Sequence, residues 1–457
     1  MAQAVHVTPI MQRLSAYIAA APERSLPPEV AERTKHHILD TVAAMVSGSR
    51  LKPGVLAIQL ARAQGGTPEA LVVGSDVVTT AINAATANGF LGHADETDDS
   101  HAPSLTHPGC AIVPAALAMA EREAATGEAL IRAVALGYDV GCRIARAMSR
   151  GSGRVRGHSS HAIGGQFGAA AAACGLARLD PRQVRSALAY AAQQASGITS
   201  WMRDPEHVEK AFVFAGMGAR NGVTAATFVQ AGFTGEEDVF SGPDNFLEVF
   251  CPNVEELGRW AENLGSHYEV AITNIKKFPV GSPIQAAAEA LTDLVAEHHL
   301  TPGKVRRIEV HLPPEGSRIV DNRAMPDINC QYIMAVILLD GRLTFKAAHT
   351  PERMQDPKVQ GVQSRVTLVP SPEFQEMERQ RPARVRVHLA TGEVVECHVP
   401  AIRGTYDNPM TRDEVAAKSM DLMEEVLGRE RAQALVARVW ELERVGDVRD
   451  LRPLLRV

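Results

Sequence analysis

The amino-acid sequence predicts a mainly α-helical protein with a second, smaller α+β domain, and three observations carry that expectation. Amphipathic segments at helical spacing fill the first 268 residues, alternating apolar–polar runs appear only after that point, and the tail from Thr411 returns to helical patterning. The expected division is therefore an all-helical domain over 1–268, completed by 404–457, and an α+β domain over 269–403. In the segment from Pro27, Val30, Thr34, Ile38, Val42 and Met45 recur at helical spacing. Further helices are expected at 78–92, 111–126, 128–149, 162–177, 181–196 and 212–232, with no convincing strand between them. Gly and Pro mark the joints, as at Pro108-Gly109 and Gly242-Pro243. In the second domain KVRRIEVHLP and RVTLVP alternate as half-buried strands do, and ARVRVHLATGEVVECHV reads as a hairpin around Thr391-Gly392. Helical stretches at 283–299 and 329–341 lie among these strands.

Composition narrows the function classes. The 457 residues are 45% hydrophobic and 22% charged, an ordinary balance for a globular protein. A net charge of -6 argues against a nucleic-acid polymer as the partner. The six cysteines are scattered without a CxxC pair, which fits a reducing, cytoplasmic setting better than a secreted one. The N-terminus lacks a basic start followed by an apolar run, so no signal peptide is expected, and no apolar stretch is long enough to predict a membrane span. P-loop, strand-linked GxGxxG, HExxH and GxSxG motifs are missing, which disfavours nucleotide, flavin and acyl-serine chemistry.

Two clusters carry the polar chemistry. The first, 92–109, holds His93, Asp95, Glu96, Asp98, Asp99, Ser100, His101 and His107. Were 85–100 helical, His93, Glu96 and Ser100 would share one face. Pro108-Gly109 should start a new helix and leave His107 on a loop beside its N-terminus, where anions are favoured. The plain alternative is a solvated acidic helix end. The second cluster has Arg143, Arg146, Arg150, Arg154 and Arg156 with no acid among them, then His158 and His161 before a Gly-rich helix start. Basic groups beside backbone N–H donors suit a small polyanion; the alternative is a wet surface loop. Lys210, Lys276-Lys277 and Tyr332 have surface and core packing as their default roles.

Several segments together resemble the MmgE/PrpD family, which includes 2-methylcitrate dehydratases, cis-aconitate decarboxylases and iminodisuccinate epimerases. They are AxxNGFLGHADETDDSH with THPG, GGQFGAAAAACGLARLD, KAFVFAGMGARNGVTAATFVQAGFTG, KKFPVGSPIQAA, QYIMAVILLDG and DNPMTRDEVAAK. The resemblance covers nearly the whole chain. It implies a large helical domain with a smaller α+β lid, a homodimer, and an active site between the domains with neither metal nor organic cofactor. Carried over residue by residue, it implies that His107, His158, Lys210 and Tyr332 are catalytic, and that Glu96, Ser100, His161 and Lys276 bind substrate; Arg156, from the basic run, is a further substrate-binding candidate. His161 is the alternative to His158. Gly281 stands where the decarboxylases have a histidine two residues after the KxFP proline, which puts decarboxylation in doubt.

The implied reaction moves a proton at a carbon alpha to a carboxylate of a small polycarboxylic acid. A 2-methylcitrate dehydratase-like lyase is the leading expectation, with epimerisation and decarboxylation as alternatives. Lys210, Lys276 and arginines of 143–156 would hold substrate carboxylates, and His107 and His158 would transfer protons. Tyr332 and Ser100 would orient the substrate or protonate a leaving hydroxyl. Two readings from other classes stand beside it: a magnesium–pyrophosphate enzyme using DETDD, which would need a second acidic motif, and a small-acid-binding protein whose chemistry has lapsed.

Overall fold

The computed structural model describes residues 7–149, 157–250, 261–375 and 381–457. The chain forms two compact units. The first comprises 1–94, 98–273 and 415–457; the second comprises 274–414 together with Asp95–Thr97. The observed breaks thus fall at Thr273 and Glu414, and three residues of the acidic cluster belong to the second unit.

The first unit is helical. Its principal helices are Pro28–Gly48, Lys52–Gln64, Ala81–Gly92, Gly109–Arg122, Gly127–Ser149, Ser160–Leu176, Pro181–Gln193 and Met217–Gln230. Local chemistry sets several starts. Thr8 and Thr80 cap Pro9–Ala20 and Ala81–Gly92, and Asp180 with Gln183 forms a capping box ahead of Pro181. A two-residue ladder, Ala70–Leu71 against Val78–Thr79, is a strand pair that the sequence reading did not anticipate, and it delays the expected 78–92 helix to Ala81.

Small residues bring these helices into close approach. A Cβ on Gly89 would lie 2.8 Å from Gly216 Cα, so only glycine lets the Ala81–Gly92 helix meet the backbone beside Phe214. There the chain makes a π-helical turn, Phe212–Gly216, an irregularity often found at functional sites.

The C-terminal helices from Val415 return to this unit. Lys418 Nζ lies 2.5 Å from Asp40 Oδ1, with both side chains buried, and Lys35 Nζ donates to Trp440 O at 3.1 Å. Among the described residues, no helix is long and apolar enough to cross a membrane.

The second unit holds a four-stranded sheet in the order Val366–Pro370, Val305–Leu312, Ala383–Leu389, Val394–Val399. The first pair is parallel and the other two antiparallel. Burial alternates along Ala383–Leu389, so one face turns to the core, as its period-2 pattern requires. Helices Gln285–His298 and Cys330–Asp340 pack with the sheet, Asn329 capping the latter through Tyr332 N at 2.9 Å. Short helices Pro314–Val320, Phe345–Ala348 and Pro357–Gln363 complete the unit.

Asp95–Thr97 is tied to this unit by two buried contacts. His349 Nε2 stands 2.7 Å from Asp95 and 3.8 Å from Asp327, while Lys276 Nζ donates to Glu96 O at 2.7 Å. Burial alone would lower the His349 pKa, but the Asp95 and Asp327 carboxylates and the Phe345 carbonyl override it and raise it to about 9. His349 is protonated more readily folded than unfolded, so its stabilisation is complete below pH 6.5 and fades as pH climbs toward 9. The loss is on the order of 3 kcal/mol. Urea titrations at pH 6 and pH 9 should show the second unit weakened at the higher pH, and His349→Gln should remove most of that difference.

Candidate active site

The polar residues of the helical unit converge on Phe214. The Ala81–Gly92 helix ends one residue before His93, which serves as its C-cap. Residues 93–100 are not helical, so the expected shared face of His93, Glu96 and Ser100 does not form. The reason is local: Asp95 accepts hydrogen bonds from Thr97, and such side-chain bonds compete with the helical ladder.

Asp98 follows as the central group. Its Oδ2 lies 2.9 Å from His93 Nδ1 and its Oδ1 3.1 Å from His107 Nδ1, and its side chain is fully buried. With Asp98 ionised, both imidazoles donate through Nδ1, so each presents Nε2 as its basic nitrogen. The neighbouring Asp99 faces the scaffold. It accepts from Gly109 N at 2.9 Å, Tyr138 Oη at 2.5 Å and His37 Nδ1 at 2.8 Å, all buried. Asp99 thereby caps the Gly109–Arg122 helix from a distance and sets the position of His107, which lies two residues before that helix.

The other rings gather around the π-turn. His93 and His161 both lie nearly parallel to the Phe214 ring, with centroids at 4.4 and 3.9 Å. His107 sits 5.3 Å from each of them, and His207 is 5.1 Å from His93. Lys210 Nζ stands 5.0 Å from the Phe214 centroid and 5.4 Å from Trp201. Cation–π attraction holds an ammonium at such distances. Burial, and then the positive environment of His107, His93 and Lys210, pushes the His161 pKa well below its ordinary value. His161 is therefore neutral at pH 7. In a histidine-selective NMR titration its ring resonances should stay fixed from pH 8 to 5.5, whereas an ordinary histidine moves near 6.5.

His107, His161 and Lys210, expected from the sequence, are thus brought together. His158 is half-buried; its backbone bridges to Ile198, and its ring lies 5.0 Å from Phe250 rather than in the Phe214 group. Ser100 is half-buried at the head of the turn that returns through the His101–Thr106 bridge.

Three of the expected residues meet a different environment. Tyr332 is fully buried in the core of the second unit, and its hydroxyl donates to Ala347 O at 2.6 Å, so its proton is committed to a backbone carbonyl. Burial also raises its pKa to about 12, which makes it a poor acid. Arg143 and Arg146 are not loop residues. They lie on Gly127–Ser149, where Arg143 donates to Glu262 O and His267 O and Arg146 pairs with Glu269 at 2.8 Å. A carboxylate buried at Glu269 needs those cations, together with His101. Arg156, with Arg150 and Arg154, lies outside the described residues.

In the second unit, Lys276 and Glu96 face one another: besides the carbonyl contact, Lys276 Nζ is 3.7 Å from Glu96 Oε2. The second acidic run that a magnesium reading would need is already engaged, Glu237 with Arg182 and Arg185 and Asp238 with Thr8. His93, Asp98 and Cys110 each bring one potential ligand atom within 4.8 Å of the others. Asp98 already holds two imidazoles, however, and the Cys110 thiol donates to His107 O at 3.1 Å.

Sequence reasoning gave no role to Phe214, Trp201 or His207, and to Asp98 only as part of the DETDD run of the magnesium reading. Asp98 and His93 were visible within a polar cluster, but a ring stack across 120 residues leaves no signal in a linear pattern.

Comparison with known proteins adds the following. Residues 12–256 match the MmgE/PrpD N-terminal domain and residues 278–442 the MmgE/PrpD C-terminal domain. A cis-aconitate decarboxylase-like protein of Aspergillus oryzae is 26% identical over 464 residues, covering 94% of each chain. A cis-aconitate decarboxylase of Aspergillus terreus is 25% identical over 461 residues, covering 94% of this chain and 92% of its own.

Proposed function

The chain belongs to the MmgE/PrpD family, and from that premise we propose that it is a cofactor-free lyase of small polycarboxylic acids, dehydratase-like in its chemistry. The observation that carries the reading is the pair of imidazoles, His93 and His107, tied to one buried Asp98 beside neutral His161 and the Lys210 ammonium. Removing a proton alpha to a carboxylate needs a base that titrates near working pH and a fixed positive charge for the enolate-like product. His107 supplies the base through Nε2, with Asp98 setting its tautomer. Lys210 holds the charge that develops, and neutral His161 donates to or accepts from the departing hydroxyl. Once the proton has left, the carbon–oxygen bond breaks, the hydroxyl leaves as water with the proton returned to it, and a carbon–carbon double bond remains.

Decarboxylation is the second reading, favoured by the names of the two fungal relatives. There the carboxylate leaves as CO₂ and the imidazole delivers a proton to the carbanion. Gly281 bears on the choice, since it supplies no side chain where the decarboxylase motif has histidine. Epimerisation would use the same base without any bond to carbon breaking except the C–H.

Incubation of the protein in D₂O with citrate, 2-methylcitrate, cis-aconitate and iminodisuccinate, each with and without EDTA, tests the proposal by proton NMR. Dehydration of 2-methylcitrate that EDTA leaves unchanged is the expected result. Itaconate from cis-aconitate would select decarboxylation, and deuterium entering without a new product would select epimerisation. Loss of activity to EDTA would overturn the cofactor-free reading, and no exchange on any acid would overturn the proposal. The homodimer implied by the resemblance and the cytoplasmic setting read from the scattered cysteines are part of the same proposal. Sedimentation of the purified chain checks the first.

A further inference from the structure

Near the start of the Ser160–Leu176 helix, three polar side-chain atoms are buried without a hydrogen-bond partner among the described residues. Residues 157–159 lie antiparallel to 197–199, with Ser159 N donating to Gly197 O at 3.0 Å and Thr199 N to Gly157 O at 2.9 Å. This pairing sets Ser159 as the N-cap and leads directly into the Thr199–Arg203 turn that holds Trp201. Ser159 is 1% exposed, yet among the described residues its hydroxyl makes no hydrogen bond and does not cap the helix. Serine is chosen at N-caps because its oxygen accepts from the first turn; here that bond is unmade. Trp201 Nε1, a group that can only donate, is also shut off from solvent without an acceptor among the described residues, and His161 Nδ1 is a third buried atom without a partner there.

Burying a polar group without a partner is costly, so such groups call for an account. Here Ser159 and His161 lie in the first turn of a 17-residue helix and Trp201 packs against the cluster that contains Ala162 of the same turn; a helix start favours negative charge through its N–H groups and dipole. The surroundings agree in sign. The Lys210 ammonium stands 5.4 Å from the Trp201 ring, and the His161 ring meets that indole edge-on at 5.9 Å.

We propose that this helix start is an anchoring site for a substrate carboxylate, which accepts hydrogen bonds from the Ser159 hydroxyl, the first-turn N–H groups and Trp201 Nε1–H beside Lys210. The inference rests on the lyase reading above for the class of its ligand. It adds Ser159 and Trp201 as binding residues and explains why an acid with more than one carboxylate would be preferred: one group is held here while the chemistry proceeds at His107.

The test uses the three tryptophans of the full-length protein as probes. In ¹⁵N–¹H spectra, titration with propane-1,2,3-tricarboxylate, an unreactive polycarboxylate, should move one indole cross-peak downfield. That peak is the one missing from Trp201→Phe. Trp201→Phe should weaken binding roughly tenfold or more, the effect of a lost hydrogen bond to a charged group. Ser159→Ala, a smaller change that the fold accommodates readily, should weaken it in the same direction. An unmoved Trp201 peak at saturating ligand, or affinity unchanged in both variants, overturns the proposal. So does an equal shift with sulfate at matched ionic strength. If the peak moves but no acid in the D₂O panel exchanges, the anchoring site stands and the lyase reading falls. If exchange occurs while the peak stays fixed, the lyase reading stands and the anchoring site falls.

Discussion

Replacing Asp98 by asparagine should reduce turnover by about 10²-fold or more while leaving KM nearly unchanged. Asp98 sets which imidazole nitrogens carry protons. As a carboxylate, Asp98 accepts from His93 Nδ1 at 2.9 Å and His107 Nδ1 at 3.1 Å, leaving both Nε2 atoms basic. Asparagine offers one acceptor and one donor group. One imidazole must then turn its Nδ1 into an acceptor and carry its proton on Nε2, where the base is needed. The substitution is nearly isosteric, so folding and substrate affinity should survive. Initial rates on whichever acid exchanges, fitted for kcat and KM separately, are the check. A rise in KM with kcat intact would mean that Asp98 serves binding alone, and the tautomer argument would fail. An unchanged pH–rate profile would count against it as well, because a merely structural aspartate has no reason to shift the profile.

The largest effect on stability should come from Lys418→Met, at about 3–5 kcal/mol, the usual consequence of leaving one partner of a buried ion pair alone. Asp40 is fully buried, and burial raises its pKa while the Lys418 ammonium at 2.5 Å pulls it back. Without that ammonium the carboxylate must take up a proton or remain charged in an apolar setting. Urea unfolding at pH 7 should record the loss, and Asp40→Asn in the same chain should restore much of it by removing the stranded charge. If the double variant is no better than Lys418→Met alone, packing around the lysine stem is responsible. The consequence reaches the site through one helix. Pro28–Gly48 carries Asp40 and also His37, which donates to Asp99, the group that holds the Gly109 helix start next to His107. Proton transfer should therefore weaken before the helical unit unfolds as a whole.

Much of the architecture was legible in the chain itself. Helical periodicity located Pro28–Gly48, Gly127–Ser149 and Pro181–Gln193 closely, because an amphipathic face and a capping residue are local properties. Alternation likewise located Val305–Leu312 and the Ala383–Val399 hairpin. Short elements escaped for the opposite reason. Pro314–Val320 and Phe345–Ala348 span two turns or fewer, and their form depends on the sheet and helices they pack against.

By itself, then, the sequence determined the helical and α+β composition, the loop position of His107 and the concentration of histidines and acids near 93–107. Composition and spacing carry those facts without reference to distant residues. The tertiary structure decided which of those residues can act together. It ended the helix before His93, set Asp98 between two imidazoles, gathered His161 and Lys210 around Phe214, and joined Tyr332 to a backbone carbonyl. Each of these turns on directional hydrogen bonds and ring contacts between segments far apart in the chain. Such contacts depend on how helices approach in space, which no local pattern encodes.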